Sequence, residues 1–284
     1  MNPLVYIIIL NWNGKDLTLD CLKSLEKIDY DNYRILIVDN GSKDDSVRVI
    51  MEEYPDVEIL PLESNIGYAA GNNAGFEKIK KKDPKYIIFL NNDTLVDKHF
   101  IEPLVLQLQE NSQIGQTVPK IYYAANIDRI WYAGGKVNLW FGLVKHIGIR
   151  SIDKPKFMIK KFTDYATGCC FCMRKEDFEK LNGFDTIYPM YGEDVDLSLR
   201  VRASGKKILF EPNSIIWHKV SASIGGELSF NKMLKKIKGL IILFSKYSSL
   251  SQKIIGYIFL ILIYLPSKVI SRLIHNILFK GDNS

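Results

Sequence analysis

The chain has 284 residues, which is enough for one large α/β domain or for a domain of about 220 residues with an appendage. Its 47% hydrophobic and 25% charged residues exclude a wholly disordered chain and a collagen-like chain. The formal net charge of +6 suits either a nucleic-acid or a membrane partner, so the position of the excess charge has to decide between them.

The first apolar segment predicts a buried strand and no secretion signal. Residues 4–10 form a continuous apolar run rich in β-branched side chains, a pattern typical of a strand covered on both faces of a parallel sheet. Met1, Asn2 and Pro3 precede it without the basic region or cleavage site of a signal peptide. We therefore expect a cytoplasmic protein.

Strands and helices alternate over the first 90 residues. Such alternation implies right-handed βαβ units around a parallel sheet, in which ligands bind at the carboxyl ends of the strands. The polar motifs of this sequence fall at those ends. The predicted elements are strands at residues 4–10, 34–38, 57–60 and 86–90, helices over 17–28 and 47–54, a Gly- and Asn-rich turn over 65–73, and a helix from there to Lys82.

The rest of the chain is less regular. Residues 113–162 mix aromatic side chains with glycine and give no detailed assignment. The composition changes to lysine and aliphatic residues from residue 229, so we place one domain at residues 1–228 and a helical C-terminal region at 229–284. Between these parts we predict a strand over 165–173, a helix over 175–181, an acidic helix start within 191–202, and two short strands at 207–211 and 214–217.

The four cysteines fit a reducing compartment. Three of them crowd into four positions, which suits neither a disulfide framework nor the paired spacing of a zinc site. We expect small core residues at Cys21, Cys169, Cys170 and Cys172.

The excess positive charge lies mostly in the C-terminal region. Residues 232–280 contain nine Lys and Arg residues, interleaved with aliphatic runs, and no Asp or Glu. An anionic membrane surface suits this mixture better than nucleic acid does, and no nucleic-acid motif accompanies it.

Two segments of this region have the lengths and spacing of surface-bound helices. The apolar run at 254–265 is shorter than the about 20 residues that a spanning helix needs. Residues 269–278 carry an apolar stripe at helical spacing, and residues 240–244 add a third apolar patch. We predict peripheral binding to the inner face of the cell membrane; the alternatives are helices that cover the main domain or form a homo-oligomer interface.

Two acidic residues follow predicted strands. The chain lacks the Gly-x-Gly-x-x-Gly and P-loop motifs, which removes the main support for NAD-type and P-loop sites. Asp39 can accept hydrogen bonds from a base or ribose, although Asp-Asn-Gly is also a common turn. Asp93 suits a hard divalent cation that also holds phosphate oxygens, although an Asx cap explains it too.

The acidic segment gives the strongest single signal. Glu193, Asp194 and Asp196 crowd a helix start, where the helix dipole tolerates carboxylates and keeps them ionised. A structural cap needs one acid, so three indicate a function, and an Asp in a crevice can act as a general base toward an attacking sugar hydroxyl. His218 is alone in its segment and gains a role only if it completes a metal or diphosphate site with Asp93.

Together these segments resemble glycosyltransferase family 2 and, within it, the rhamnosyltransferase-like members. Each motif is weak alone, but their joint occurrence in the family's order is specific. The matching segments are Ile9 to Gly14, Val38 to Ser42, Asn65 to Asn73, Leu90 to Asp93, Gly183 to Asp185, Tyr191 to Leu197 and Pro212 to His218.

The resemblance implies a GT-A fold, a UDP- or dTDP-sugar donor, Mg²⁺ or Mn²⁺, and inverting transfer to a glycan or lipid-linked acceptor. It assigns Asp194 as the base, with Glu193 in reserve, and Asp93 and His218 to the metal. Asn91 stands where many relatives have a first Asp, so the metal motif has one carboxylate. The implied donor-binding residues are Asn11, Asn13, Asp39, Asn65, Gly67, Asn72 and Asn92.

Two other functions compete with this one. A sugar-nucleotide pyrophosphorylase would normally carry a cationic phosphate loop after its first strand, and residues 11–14 contain no cation. A non-catalytic glycan- or membrane-binding protein on the same fold would have no need to keep Asp93, Asp194 and His218 together.

Overall fold

The computed structural model describes residues 2–220, 230–264 and 266–267. The strands are β1 (Val5–Asn11), β2 (Tyr33–Asp39), β3 (Glu58–Pro61), β4 (Tyr86–Asn91), β5 (Thr94–Val96), β6 (Ile114–Tyr123), β7 (Asn126–Tyr132), β8 (Gly135–Asn138), β9 (Leu143–His146), β10 (Lys161–Thr163), β11 (Cys170–Arg174) and β12 (Lys207–His218). Ten of them form one sheet in the order β10-β12-β6-β11-β4-β1-β2-β3, with β5 on β12 and β7 on β6, while β8 and β9 form a hairpin.

Helices flank this sheet. Helix α1 shows the usual reason for their positions, because it buries Cys21, Leu22 and Leu25 on one face and exposes the other. The helices are α1 (Lys15–Leu25), α2 (Ser46–Glu53), α3 (Tyr68–Ile79), α4 (Ile101–Glu110), α5 (Lys175–Lys180), α6 (Glu193–Ala203), α7 (Phe230–Tyr247) and α8 (Leu250–Phe259), with 3₁₀ turns at Lys80–Lys82 and Pro155–Phe157 and a π-helical turn at Leu260–Tyr264.

Parallel pairing at the centre of the sheet aligns the ends of the strands. Strand β1 pairs in parallel with β2, which sets Asn11 opposite Asp39. It also pairs in parallel with β4, which sets Leu10 opposite Asn91. Antiparallel pairing enters where β11 inserts between β4 and β6. The predicted α/β class is confirmed, and the polar ends of three strands lie at one edge.

Helix α3 begins earlier than the sequence predicts. Residues 68–73 are helical rather than part of a turn, and only the segment up to Gly67, at φ +89°, turns the chain. Gly71 of the predicted turn and Gly75 of the predicted helix both serve close packing. A Cβ on Gly71 would lie 2.6 Å from the Leu10 side chain, and one on Gly75 would lie 2.7 Å from the Val38 side chain.

The second half contains long strands that the sequence pattern conceals. The two short strands predicted at 207–211 and 214–217 are one strand, β12, whose pairing with β6 shifts register between Glu211 and Ile215. Pro212 lies in this shift, where its missing N–H removes no ladder hydrogen bond. Of the strand predicted at 165–173, only residues 170–173 belong to β11, which extends one residue further to Arg174.

The C-terminal region has a packed part and an exposed part. Leu243 and Phe244 of α7 are buried, whereas Ile254, Ile258 and Leu262 are more than half exposed. Within the described residues, none of the helices combines the length and apolarity that crossing a bilayer requires. The stripe predicted at 269–278 lies outside the described residues, and the boundary at residue 229 remains a prediction.

All four cysteines are free and buried, as predicted. Burial raises the pKa of the Cys21 thiol to about 12 and raises the pKa of the other three thiols as well. These thiols are therefore neutral core groups at physiological pH.

Close packing at Gly75 makes a counterintuitive stability prediction. Gly75→Ala should gain about 1 kcal/mol in helix propensity. The added methyl group would collide with Val38 and Ile8 across the sheet, which costs about 1–3 kcal/mol. We expect a lower free energy of unfolding in urea. Ala74→Gly in the same helix calibrates the propensity term, and a stabilised Gly75→Ala protein would contradict the close packing.

Candidate active site

The ends of β1 and β2 are joined through Asp39. Asn11 Nδ2 donates to Asp39 Oδ1 at 2.8 Å. The Ser42 hydroxyl donates to the same oxygen at 2.6 Å, and the Ser42 N–H donates to Asp39 Oδ2 at 3.0 Å. Asp39 is thus the organising residue of its own turn, as one of the two interpretations of its motif predicted. Its contact with a ligand remains a prediction.

Thr18 connects this pair to the end of β4. Its hydroxyl donates to Asn11 Oδ1 at 2.9 Å, and Asn92 Nδ2 donates to Thr18 Oγ1 at 3.0 Å. Sequence reasoning missed Thr18, although one signal marks it. Thr18 lies on the same helix face as Cys21, Leu22 and Leu25, and a polar residue on a buried face needs a polar partner.

Asn40 and Asn65 shape the loop that leads into α3. Asn40 Nδ2 donates to Asn65 Oδ1 at 3.2 Å, and the Gly67 N–H donates to the same oxygen at 2.9 Å. Asn40 is a second residue that the sequence analysis did not select. Asn72 is buried, and its amide nitrogen donates to the Tyr68 carbonyl within α3.

Asn13 belongs to the same edge. Its backbone N–H donates to the Ser42 hydroxyl at 2.8 Å, and its side-chain oxygen accepts the Lys43 N–H at 2.6 Å. The seven predicted donor-binding residues therefore lie at the ends of β1 and β2, on the loops that follow β1, β3 and β4, and in the first half of α3.

Asp93 and His218 meet because β12 pairs antiparallel with β5. This pairing sets His218 opposite Thr94 and leaves Nε2 of His218 at 3.2 Å from Oδ1 of Asp93. Asp93 Oδ1 and His218 Nδ1 are buried and make no hydrogen bond within the described residues. The edge of Trp131 packs on the His218 ring at a centroid distance of 4.5 Å.

A divalent cation fits this corner. A hard carboxylate oxygen without a hydrogen bond and an imidazole are both ligands that Mg²⁺ or Mn²⁺ accepts. The described part of the chain shows no group of three His, Cys, Asp or Glu side chains that could hold a metal. Two protein ligands leave room for phosphate oxygens.

The acidic segment forms the start of α6, and its three carboxylates have different environments. Asp194 Oδ2 accepts the Gly168 N–H at 2.8 Å, and Oδ1 accepts the Val195 N–H at 2.9 Å. Glu193 is buried, and its Oε2 finds no hydrogen-bond partner among the residues that the structure describes. Asp196 is fully buried and accepts Arg200 Nε at 2.7 Å.

These environments correct two steps of the sequence argument. Asp196 is structural, so three acids do not imply three functional carboxylates. The helix dipole is not the dominant influence on the pKa of the other two, because burial raises the pKa of Asp194 and, together with the charge of Asp194, raises the pKa of Glu193 to about 8.

Gly168 and Tyr68 also hold Asp194 in place, and the sequence analysis did not assign them. The Tyr68 hydroxyl donates to the Gly168 carbonyl at 2.7 Å, while the Gly168 N–H holds Asp194. Burial raises the pKa of Tyr191, and the charges of Glu193 and Asp93 add to this rise. Tyr191 is therefore close enough to both Glu193 and Asp93 for their charges to affect its hydroxyl group.

Comparisons with known proteins identify similar sequences and a similar fold. RfbC, an O-antigen biosynthesis protein of Myxococcus xanthus, is 28% identical over 231 residues, which cover 78% of this chain but 18% of RfbC. The rhamnosyltransferase WbbL of Escherichia coli is 28% identical over 218 residues, which cover 74% of this chain and 81% of WbbL. The structure of GalNAc-T7 with UDP, GalNAc and Mn²⁺ superposes with a TM-score of 0.64 at 22% identity, over 76% of this chain and 43% of that one.

The fold and the family follow from these matches. The likeness to GalNAc-T7 confirms the predicted GT-A fold. The sequence model described as N-terminal domain of galactosyltransferase matches residues 149–220. The model described as glycosyl transferase family 2 matches residues 6–181, more than half of the sequence. The chain therefore belongs to glycosyl transferase family 2.

Proposed function

We propose that this protein transfers a sugar from a nucleoside-diphosphate donor to a hydroxyl of a glycan or lipid-linked acceptor, with inversion and with Asp194 as the base. The observation that carries the proposal is the environment of Asp194. Its carboxylate is oriented by the Gly168 N–H at the start of α6, and burial raises its pKa. A raised pKa makes a carboxylate a better proton acceptor near neutral pH.

The proposed reaction is a single displacement. Asp194 takes the proton of the acceptor hydroxyl while the hydroxyl oxygen forms a bond to the anomeric carbon. The bond from that carbon to the diphosphate oxygen breaks, and its electron pair leaves with the nucleoside diphosphate. Attack from the side opposite the leaving group inverts the anomeric centre. The separate positions of Asp194 on α6 and Asp93 after β4 support this division of roles.

Asp93 and His218 are the residues that would hold Mg²⁺ or Mn²⁺. Such an ion supplies positive charge to the departing diphosphate. Trp131 fixes the plane of the His218 ring, and the Lys219 N–H donates to the Asp93 carbonyl at 2.8 Å, so the chain orients both ligands. Departure of the leaving group depends on that preorganisation.

The proposed donor is a UDP- or dTDP-sugar. Its nucleoside would bind at the sheet edge that Asn11 and Asp39 form. Asn13, Asn65, Gly67, Asn72 and Asn92 complete the proposed donor site. The position of these residues along one edge of the sheet supports this assignment. The same edge offers no support for a pyrophosphorylase, which needs a cation in its phosphate loop. Lys15, the cation that follows the loop after β1, pairs with Asp45 at 3.0 Å instead of pointing to a phosphate site.

The C-terminal region is basic, which supports the proposal that the protein binds to the cytoplasmic face of an anionic membrane. The tip of the β8–β9 hairpin packs against α8, with the rings of Phe141 and Phe259 5.3 Å apart. Trp140, Phe141, Ile258 and Leu262 are 44–68% exposed, so two distant segments form one apolar surface. We call this the hairpin-α8 surface. An aromatic and aliphatic surface beside lysines is typical of an interfacial helix.

Replacement of the base tests the transfer reaction. Asp194→Asn keeps the shape of the side chain but cannot accept the proton, so turnover should fall by about 10² to 10⁴. Donor affinity should stay near wild type. Nucleoside diphosphate released from a panel of sugar nucleotides with Mn²⁺ measures the first quantity, and titration with the donor measures the second.

The pH dependence and a neighbouring variant sharpen this test. Because the base must be ionised, kcat/KM should fall as the pH drops through its pKa, and the raised pKa places this fall above the ordinary range of an Asp. Glu193→Gln serves as the neighbouring control and should keep most of the turnover. Parallel loss of donor binding and turnover in Asp194→Asn would indicate a structural role instead.

Removal of the metal-site carboxylate tests the cation. Donor titrations of the wild type should show tighter binding with Mn²⁺ than with excess chelator, because Asp93 would hold an ion whose positive charge favours binding of the diphosphate. Asp93→Asn should bind the donor equally weakly in both conditions. Full activity of the wild type in excess chelator would refute the cation's role.

The membrane proposal predicts that single apolar side chains control sedimentation with vesicles. Trp140→Ser and Ile258→Gln should each reduce binding of the full chain to anionic liposomes at low salt, because both remove exposed apolar area. Met51→Gln on α2 is the matched control, since Met51 is also exposed. Equal binding of all four proteins would contradict the proposal. Loss of a dimer in the same two variants would instead assign the surface to a second copy of the chain.

A further inference from the structure

Four donors converge on the buried carboxylate of Asp196. Lys246 Nζ and the Tyr247 hydroxyl contact Oδ1 at 2.7 and 2.8 Å, and the Tyr188 hydroxyl donates to the same oxygen at 3.2 Å. Arg200 Nε donates to Oδ2 at 2.7 Å. Lys246 and Tyr247 are the end of α7, so the C-terminal region supplies two of these donors.

The same cations hold the segment that leads into α6. Lys246 Nζ also contacts Asp185 Oδ2 at 2.7 Å, and Arg200 donates to the carbonyls of Leu181 and Gly183 at 2.6 and 2.8 Å. The two cations, Lys246 and Arg200, balance the charges of the two carboxylates, Asp185 and Asp196, so the cluster has no net charge. Such a fully paired network is rigid, and the loss of one partner leaves a buried charge uncompensated.

The backbone of α7 also presses on the loop before the proposed base. A Cβ on Gly239 would overlap the carbonyl oxygen of Tyr191 and would lie 3.4 Å from that of Met190. Tyr191 and Gly192 both have positive φ, +68° and +106°. A tyrosine keeps this conformation only where its surroundings impose it. Here the surroundings include α7.

We propose that α7 is a positioning element of the active site and that Lys246 and Tyr247 hold Asp194 in place through Asp196. This proposal rests on the role of Asp194 as base. Asp196 follows Asp194 by two residues on the same first turn, so a shift of its carboxylate moves the start of α6. Within the described residues, the side chains of Asn11 and Asp39 hydrogen-bond to each other and to Ser42, Thr18 and Asn92 rather than to this network, so donor binding at these two residues should not depend on it.

The test replaces Lys246 in the full chain. Lys246→Met keeps the aliphatic length and removes the charge, and kcat for transfer should fall by about tenfold to a hundredfold with donor affinity unchanged. Lys246→Arg can bridge the same two carboxylates and should restore most of the turnover. Lys180→Met is the matched control, because Lys180 forms an exposed ion pair with Glu176 on α5. Its turnover should equal that of the wild type.

A second variant keeps the proposal testable if Lys246→Met fails to fold. Tyr247→Phe removes one hydroxyl and keeps the ring, so it should fold with a nearly unchanged thermal midpoint and still lower kcat. Wild-type kcat in both variants, or a parallel loss of donor affinity and kcat, would overturn the proposal.

A double-variant comparison separates this proposal from the proposed function. If Lys246 acts through Asp194, Lys246→Met should have no further effect on turnover in an Asp194→Asn background. An equal effect in both backgrounds would show that Lys246 acts elsewhere and would leave the base assignment standing. Full turnover of Asp194→Asn alone would overturn the base assignment and the positioning role together.

Discussion

The in-register parallel pairing of β1 with β2 and β4 is the constraint on which the site depends. Strand β1 is apolar on both faces, and Val5, Ile7 and Ile8 are fully buried. Apolar burial alone would therefore hardly distinguish this register from one shifted by a residue. The polar residues at the strand ends do distinguish it, because the observed register places Asn11 within hydrogen-bond reach of Asp39 at the end of β2 and of Asn92 after β4. The hydrogen bonds that specify the fold are those that shape the proposed donor edge.

The acidic segment shows how environment divides roles among identical groups. Asp196 has two cations and two hydroxyl groups around it, and this compensation makes it a structural anchor. In the described part of the chain, the hydrogen-bond partners of Asp194 are backbone N–H groups, so burial still raises its pKa. Glu193 has a carboxylate oxygen without a hydrogen bond to any described residue, and its pKa rises to about 8. A carboxylate that is buried without a compensating positive charge binds a proton more tightly, and a general base needs this property.

Much of the first half of the fold is predictable from the sequence, because buried parallel strands are continuous apolar runs. The predicted strands at 4–10, 34–38, 57–60 and 86–90 each overlap an observed strand, β1 to β4. Glycine misled the prediction at the start of α3, where Gly71 allows close packing instead of a turn. Composition cannot distinguish a glycine in a turn from a glycine at a close-packed helix, because both positions require a residue without a Cβ.

The residues that sequence reasoning missed all act across long distances in the chain. Thr18 reaches Asn92, and Tyr68 reaches Gly168, a partner one hundred residues away. The spacing of residues within one helix or strand does not predict which distant residue each of them contacts. Asp196 was misjudged for the same reason, since its partner Lys246 lies fifty residues later in a region that composition set apart.

The many amides at the donor edge have an electrostatic consequence. Asn11, Asn40, Asn65 and Asn92 link the loops after β1, β2, β3 and β4 through neutral hydrogen bonds. Carboxylates in these positions would also accept hydrogen bonds, but they would repel an approaching diphosphate. The acid within this network, Asp39, is engaged by Ser42 and Asn11. Asn91 in place of a first Asp continues the same pattern. The proposed donor edge can therefore be rigid without the negative charge that would oppose an anionic donor, and the proposed metal site at Asp93 and His218 is the place where a cation would be favoured.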